Sequence, residues 1–157
     1  MDPKDYPKLN LPAVEMRTRL DADGTLRVWD TLRKKYVVLT PEEYVRQHFV
    51  AWLRDIRHYP ESMTANETGI KLNGTQRRCD TVVFDKQGNP LVIVEYKAPH
   101  VRITQDVFDQ IVRYNMVLCA RYLIVSNGLQ HYCCKIDYES RSYNFIPMIP
   151  DYREINT

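Results

Sequence analysis

The stretch CDTVVFDKQGNPLVIVEYK, residues 79–97, decides the fold, because it joins two apolar runs through a short polar segment. The segment 85–90 contains Asp, Gly, Asn and Pro, which are typical of a turn. The flanking residues 79–84 and 91–97 are therefore predicted to form an antiparallel hairpin. The second strand is apolar on both faces, which is typical of a central strand covered on both sides.

The register of this hairpin predicts a cluster of charged side chains. If Asp85 pairs with Pro90, then Asp80 lies directly opposite Glu95, with the two Cβ atoms about 5 Å apart. Lys97 is two residues beyond Glu95 and projects from the same face. The sequence thus predicts that two carboxylates and one ammonium group converge at the end of the hairpin. A register slip of one residue would turn Asp80 to the other face.

The apolar surroundings of the cluster indicate its chemistry. Leu91 and Ile93 are predicted to share the face of Glu95, so the acids would be partly desolvated. Two adjacent carboxylates repel each other unless a cation lies between them. A hard divalent ion with oxygen ligands satisfies this requirement, and Mg²⁺ commonly uses only one or two carboxylates. The alternative is an ion-pair cluster in which Lys97 neutralises both acids and no metal binds.

The remaining sequence predicts an α/β domain. Residues 1–20 are polar and contain several prolines, and we interpret them as an extended N-terminal arm. Asn73-Gly74 is a hairpin signal, and Thr40 with Glu43 forms the pattern of a capping box. Strands are predicted at 26–29, 36–39, 63–72, 121–125, 130–136 and 143–146, and helices at 41–57 and 105–118. This order predicts one domain over residues 1–157, with a mixed central sheet and helices packed on it.

The composition limits the class of protein. The 157 residues suit one domain, and the net charge of +2 does not by itself indicate nucleic-acid binding. The four cysteines have no metal-ligand spacing, so reduced thiols and a cytoplasmic location are expected. We expect no membrane segment, because the longest aliphatic run is too short to span a bilayer. The chain has no Walker-type loop and therefore no sign of an ATP-driven motor.

Several motifs together resemble the PD-(D/E)xK nuclease superfamily. Arg78-Cys79-Asp80 and the run 92–99 (VIVEYKAP) look like its two catalytic motifs, and the run 110–114 (QIVRY) is similar to the Q-x3-Y element of its RecB-like members. The runs 41–47 and 122–128 also fit the N-terminal nuclease domain of type I restriction enzyme R subunits. One departure is Cys79, which stands where the family usually has a proline.

The resemblance implies a restriction-endonuclease-like fold and hydrolysis of DNA. It implies that Asp80, Glu95 and the carbonyl of Tyr96 hold Mg²⁺ or Mn²⁺, and that Lys97 serves the attacking water. Site-supporting roles are implied for Gln110, Tyr114 and Glu43. Without the resemblance, Gln110 and Tyr114 are polar residues at the edge of a helix, and Glu43 is a capping residue. The implied partners are DNA and other restriction-system subunits. The alternative function is a catalytically inactive module that binds nucleic acid or protein.

Overall fold

A computed structural model describes residues 5–72 and 74–156 of the chain. Its strands are β1 (Thr18–Leu20), β2 (Leu26–Asp30), β3 (Lys35–Val38), β4 (Thr64–Leu72), β5 (Thr75–Phe84), β6 (Pro90–Tyr96), β7 (Tyr122–Ser126), β8 (His131–Asp137) and β9 (Ser142–Ile146). Its helices are α1 (Pro41–Asp55), α2 (Gln105–Asn115) and the short α3 (Tyr152–Ile155). The sequence missed β1 and α3, whose lengths of three and four residues are too short for a periodic pattern to show.

The strands form two sheets. The central sheet has the order β4-β5-β6-β7-β8-β9, and a smaller sheet has the order β1-β2-β3. The pair β6 and β7 is parallel, and the other neighbouring pairs are antiparallel. The connection between β6 and β7 contains α2, as a parallel pair requires a crossover. The predicted mixed sheet with flanking helices is confirmed.

Helices cover both faces of the central sheet. One apolar cluster contains Phe49 of α1 together with Val92 and Val94 of β6. The other contains Phe108 of α2 together with Ile93. The predicted position of β6 in the interior of the sheet, covered on both sides, is therefore confirmed. Within the described residues, no helix has the length and apolar character needed to cross a membrane.

The hairpin of β5 and β6 differs from the prediction at its turn. Phe84, rather than Asp85, pairs with Pro90, and the register shifts between Val83 and Phe84. Leu91 is the additional residue of this bulge, and it packs in the α1 cluster instead of sharing the face of Ile93. The assumed turn pairing was wrong, but the bulge restores the predicted register for the rest of the hairpin.

The start of α1 also corrects one expectation. Thr40 Oγ1 accepts a hydrogen bond from the Glu43 N–H at 3.1 Å, so the predicted cap is present. The Glu43 carboxylate does not return to the Thr40 N–H, which instead donates to the Val38 carbonyl. Glu43 Oε1 instead accepts a hydrogen bond from Arg33 Nη2 at 2.6 Å, because the half-buried guanidinium offers the carboxylate a charged donor. The reciprocal half of the capping box is therefore absent.

The described part of the N-terminal arm lies along the domain. Leu9 is buried, and the Asn10 N–H donates to the Gly128 carbonyl at 2.9 Å. Gly128 lies in the turn between β7 and β8 and has φ +84°, which glycine adopts without strain. A Cβ at this position would lie 2.7 Å from Leu9 Cδ2. The arm thus fits closely against this turn, and its last residues form β1.

The cysteines follow the sequence expectation in part. Cys79, Cys133 and Cys134 are buried free thiols, and Cys119 is a free but exposed thiol. Burial raises the pKa of the Cys133 thiol to about 12, so this group is an inert apolar filler at neutral pH.

Candidate active site

Asp80 lies where the ladder between β5 and β6 ends. The pairs Val83↔Val92, Val82↔Ile93 and Thr81↔Val94 have the predicted register, and Thr81↔Val94 is the final pair. Asp80 Oδ2 then accepts a hydrogen bond from the Tyr96 N–H at 2.9 Å. A side-chain carboxylate therefore takes the place of a backbone acceptor at the end of this ladder. This bond fixes Asp80 against β6, immediately beside Glu95.

The positive charges around Asp80 and Glu95 do not fully offset the cost of ionising these two carboxyl groups. Desolvation, and then the negative charge of Asp80, raise the pKa of Glu95 to about 7, while Lys97 opposes the shift. Desolvation also raises the pKa of Asp80, against the Tyr96 N–H and the positive charge of Arg46. Both carboxyl groups thus hold protons more tightly than ordinary acids. Such a pair has the electrostatic character of a cation site.

Lys97 is close to the acids but only loosely paired. Its Nζ lies 3.9 Å from Glu95 Oε1, too far for a hydrogen bond, and its side chain is 33% exposed. The Lys97 N–H donates to the Ser126 carbonyl at 2.9 Å, which anchors the backbone while leaving the side chain free. Among the described residues Lys97 forms an ion pair with Glu95 alone, so the alternative in which it neutralises both acids lacks a close contact to Asp80.

A third acid, Glu67, lies on the other side of Asp80. The pairs Asn66↔Thr81 and Thr68↔Cys79 place Glu67 opposite Asp80 across β4 and β5. Glu67 is bound by two arginines, with Oε1 2.6 Å from Arg46 Nη2 and Oε2 2.9 Å from Arg78 Nε. Its φ of +50° costs a non-glycine residue about 1–2 kcal/mol and marks a distortion of β4 at this point.

The position of Glu67 has a signal in the sequence. Leu72 pairs with Thr75, as a two-residue turn at Asn73-Gly74 would require. That pairing, counted back along the hairpin, brings Glu67 to Asp80. Asn73 itself lies outside the described residues.

Arg46 of α1 is the buried cation nearest to this row of acids. It is 4% exposed, and its guanidinium carbon lies 5.6 Å from the centre of the Tyr96 ring. Its Nε and Nη1 are buried and have no hydrogen-bond partner among the described residues. Arg46 Nη1 lies 3.8 Å from Glu43 Oε1, so Glu43 reaches the site through Arg46. Sequence reasoning missed Arg46, because a buried arginine in an amphipathic helix has no distinguishing spacing.

A chain of buried hydrogen bonds supports Tyr96 from beneath. The Tyr96 hydroxyl donates to Thr81 Oγ1 at 2.9 Å, and Thr81 Oγ1 donates to Asn66 Oδ1 at 2.7 Å. Asn66 Nδ2 donates to both oxygens of Asp30, at 3.2 and 3.3 Å. Arg33 binds Asp30 and also Glu43. The smaller sheet is thus connected to the strand that carries the candidate site.

The two α2 residues implied by the resemblance lie on the surface. Gln110 is exposed and Tyr114 is 49% exposed. The Arg77 guanidinium stacks over the Tyr114 ring at 4.6 Å, and Arg77 Nε donates to the Tyr114 carbonyl. Among the described residues, no hydrogen bond or ion pair joins Gln110 or Tyr114 to Asp80, Glu95 or Lys97. Their accessible positions suit contact with a large ligand better than support of the acids.

The donor set fits a hard divalent cation with few protein ligands. Asp80 Oδ1 and both Glu95 oxygens accept no hydrogen bond from any residue that the structure describes. Across residues 5–72 and 74–156, no group of three His, Cys, Asp or Glu side chains is placed to hold a metal. Glu67 is turned to its arginines. Two carboxylates, a backbone carbonyl and water are ligands that Mg²⁺ commonly accepts, whereas structural zinc requires more protein ligands.

Comparisons with known proteins bear on the same region. The family described as type I restriction enzyme R protein N terminus matches residues 41–150. A solved fragment assigned as an HsdR subunit of a type I restriction enzyme from Vibrio vulnificus YJ016 has a similar fold, with a TM-score of 0.52 and 18% identity. The match covers 74% of this chain and 24% of that one, so the chain spans about a quarter of that fragment. No curated protein matches the chain. The family match extends over most of the chain and includes the candidate site, and the chain therefore belongs to the family of type I restriction enzyme R protein N-terminal domains.

Proposed function

We propose that this domain hydrolyses phosphodiester bonds in DNA with Mg²⁺ or Mn²⁺ bound between Asp80 and Glu95. The observation that carries the proposal is the pair of partly desolvated carboxylates where the ladder between β5 and β6 ends, with one loosely paired ammonium beside them. Membership of a restriction-enzyme family supports DNA as the substrate class. The resemblance to PD-(D/E)xK nucleases supplies the type of reaction.

In this proposal each residue has a distinct part. Asp80 Oδ1 and the Glu95 carboxylate hold the cation, with the Tyr96 carbonyl as a further ligand. The Tyr96 N–H keeps Asp80 in place through Oδ2. When bound between these residues, a divalent ion would supply polarisation of the phosphate and a lowered pKa for a water molecule. The Lys97 ammonium, which lies 3.9 Å from Glu95 Oε1, orients the attacking water or neutralises charge that develops on the phosphate.

A cleavage assay tests the proposal. Purified protein is incubated with plasmid and linear DNA in Mg²⁺, in Mn²⁺ and in EDTA. Wild type is expected to cut only with a divalent ion, and Asp80→Asn and Lys97→Met are each expected to cut at least about 100-fold more slowly. Glu139→Gln is the matched control, because Glu139 is exposed in the turn between β8 and β9. Equal cutting by wild type and Asp80→Asn would show a contaminating nuclease and would refute the proposal.

The non-catalytic binding module is the alternative outcome. It would be supported if wild type bound DNA without cutting it under any of these conditions. We further propose that the domain works in the cytoplasm with other subunits of a restriction system, on the basis of the family to which it belongs. Co-purification of the tagged chain with the other subunits of the same system tests this assembly. Failure to co-purify would count against it without affecting the cleavage result.

A further inference from the structure

The smaller sheet has one buried face and one exposed face. Val28 is fully buried and Asp30 is 1% exposed, so the side chains of alternate β2 residues point into the protein. The remaining positions form what we call the outer face. The strand register, together with the hydrogen bond from the Trp29 N–H to the Arg17 carbonyl, defines the members of this face. They are Arg17, Arg19, Arg27, Trp29, Tyr36 and Val38.

Two arginines of the outer face lie over its aromatic rings. The Arg17 guanidinium lies 5.5 Å from the centre of the Trp29 ring and 5.8 Å from that of Tyr36. The Arg19 guanidinium lies 4.3 Å above the Tyr36 ring. Stacking on the rings holds the planar guanidiniums extended over the sheet. These side chains are therefore already ordered before a ligand binds. Arg17 and Arg19 nevertheless remain exposed to solvent.

Positive charge is concentrated in this small part of the chain. Residues 17–38 contain six Arg and Lys residues and three Asp residues, a net charge of +3, whereas the whole chain has +2. Asp21 pairs with Arg19 and Arg27 at one end of the sheet. At the other end, Arg17, Lys34 and Lys35 have no carboxylate partner among the described residues. Unpaired positive charge therefore lies at the end of the sheet beside the turn that joins β2 and β3, with Arg17 on the outer face, Lys34 in the turn, and Lys35 directly after it as the register partner of Asp30.

The inner face fixes this surface relative to the candidate active site. Asp30 is bound by Asn66 of β4, and Arg33 joins Asp30 to Glu43 of α1. Asp30, Asn66 and Glu43 are buried, and Asn66 connects through Thr81 to Tyr96 of the site strand. A ligand held on the outer face would therefore have a defined position relative to Asp80. The sheet also lies outside residues 41–150, the part that the family match covers.

From these observations we infer that the outer face of the smaller sheet, with Lys34 and Lys35, binds the phosphate backbone of DNA as a second contact region outside the catalytic site. This inference rests on the proposed function for the identity of the polyanion. Arginine forks match phosphate geometry, and contacts of this kind position a nucleic acid without reading its sequence. DNA is preferred to an acidic protein because the proposed function already requires the chain to hold DNA, and because the exposed guanidiniums of Arg17 and Arg19 complement the charge of a phosphate backbone.

Binding in EDTA tests the inference without requiring cleavage. Fluorescence anisotropy measures the affinity of the full chain for a labelled duplex and for the same strand alone, across a series of salt concentrations. The test variant combines Arg17→Ala, Lys34→Asn and Lys35→Ala. The control variant removes the same charge elsewhere, through Arg141→Asn, Lys86→Ala and Lys135→Ala, all at exposed positions. Lys34 and Arg141 both have positive φ, and asparagine tolerates this conformation at both positions.

The test variant is expected to bind duplex DNA roughly tenfold more weakly at low salt, and each lost contact reduces the slope of log affinity against log salt by about 0.9. The control variant is expected to match wild type. Equally weakened DNA binding in both variants, or unchanged DNA binding in both, would overturn the inference. A preference for duplex or for single-stranded DNA identifies the form that the face accepts.

The two proposals fail in different ways. If Asp80→Asn no longer cuts DNA but the outer-face variant binds DNA as wild type does, the nuclease proposal stands and the outer-face inference fails. Outer-face binding by a wild type that never cuts would retain the inference alone. Tryptophan emission gives a local readout, because the chain has only two tryptophans and Trp52→Phe leaves Trp29 as the reporter. If the emission of the Trp52→Phe variant did not change on addition of DNA, this would also count against DNA binding at the outer face.

Discussion

Replacing Glu95 by glutamine should stabilise the metal-free protein at alkaline pH. The pKa of Glu95 is raised from 4.5 to about 7, chiefly by desolvation and then by Asp80. A group whose pKa is higher in the folded state favours folding at low pH, and this contribution is lost as the pH rises through the folded pKa. Above about pH 7 the ionised carboxylate therefore opposes folding, and a neutral amide of the same shape removes that cost.

The magnitude follows from the size of the shift. Each pKa unit corresponds to 1.36 kcal/mol, so the shift from 4.5 to about 7 sets an upper limit of about 3 kcal/mol. The Glu95 side chain is 25% exposed, and relaxation and water will reduce this value. We expect Glu95→Gln to raise the free energy of unfolding by about 1–3 kcal/mol at about pH 8, and by much less at about pH 5.

Urea denaturation in EDTA at the two pH values measures this difference, with Glu139→Gln as the control for loss of an exposed carboxylate. Addition of Mg²⁺ should then reverse the order, because a ligand bound only by the folded state stabilises wild type by about 2.7 kcal/mol at a hundred times its dissociation constant. A Glu95→Gln variant that is less stable than wild type at both pH values, or a difference independent of pH, would refute the electrostatic reasoning.

Three further changes test the surroundings of the site. Arg46→Met should lower the free energy of unfolding by about 3 kcal/mol in urea denaturation, because it leaves Glu67 with Arg78 alone beside another acid; unchanged stability would contradict this. Thr81→Val should lower the free energy of unfolding by about 1–3 kcal/mol, because it leaves the buried Tyr96 hydroxyl unpaired. A loss of stability no larger than that of a substitution at an exposed position would contradict this. Gly128→Ala should displace the N-terminal arm and increase its cleavage in limited proteolysis, and an unchanged digestion pattern would show that the turn tolerates a Cβ.

Hairpin arithmetic and strand alternation are sufficient to predict that Asp80 and Glu95 lie together, and the observed ladder has that register. The bulge at Val83 and Phe84 shows why the turn itself was not predictable, since a bulge depends on packing at Leu91 rather than on the turn residues. The rest of the hairpin has the predicted register because both faces of β6 are buried, and burial specifies the register of a strand strongly.

The polar supports of the site could not be read from the sequence. Arg46 and Asn66 lie on different elements from Asp80, and their partners are brought together only by the packing of α1 and the smaller sheet on the central sheet. Long-range hydrogen bonds of this kind leave no local spacing. For Glu43, the sequence pattern indicated a cap, whereas tertiary packing directs its carboxylate to Arg33.

Calorimetric titration with Mn²⁺ tests most directly whether Asp80 and Glu95 form a metal site. Wild type and the Glu139→Gln control are expected to bind one Mn²⁺ per chain with the same affinity, and Asp80→Asn and Glu95→Gln are each expected to lose that binding. Equal Mn²⁺ binding by all four proteins, or no binding by wild type, would contradict the assignment of this pair of acids as a metal centre.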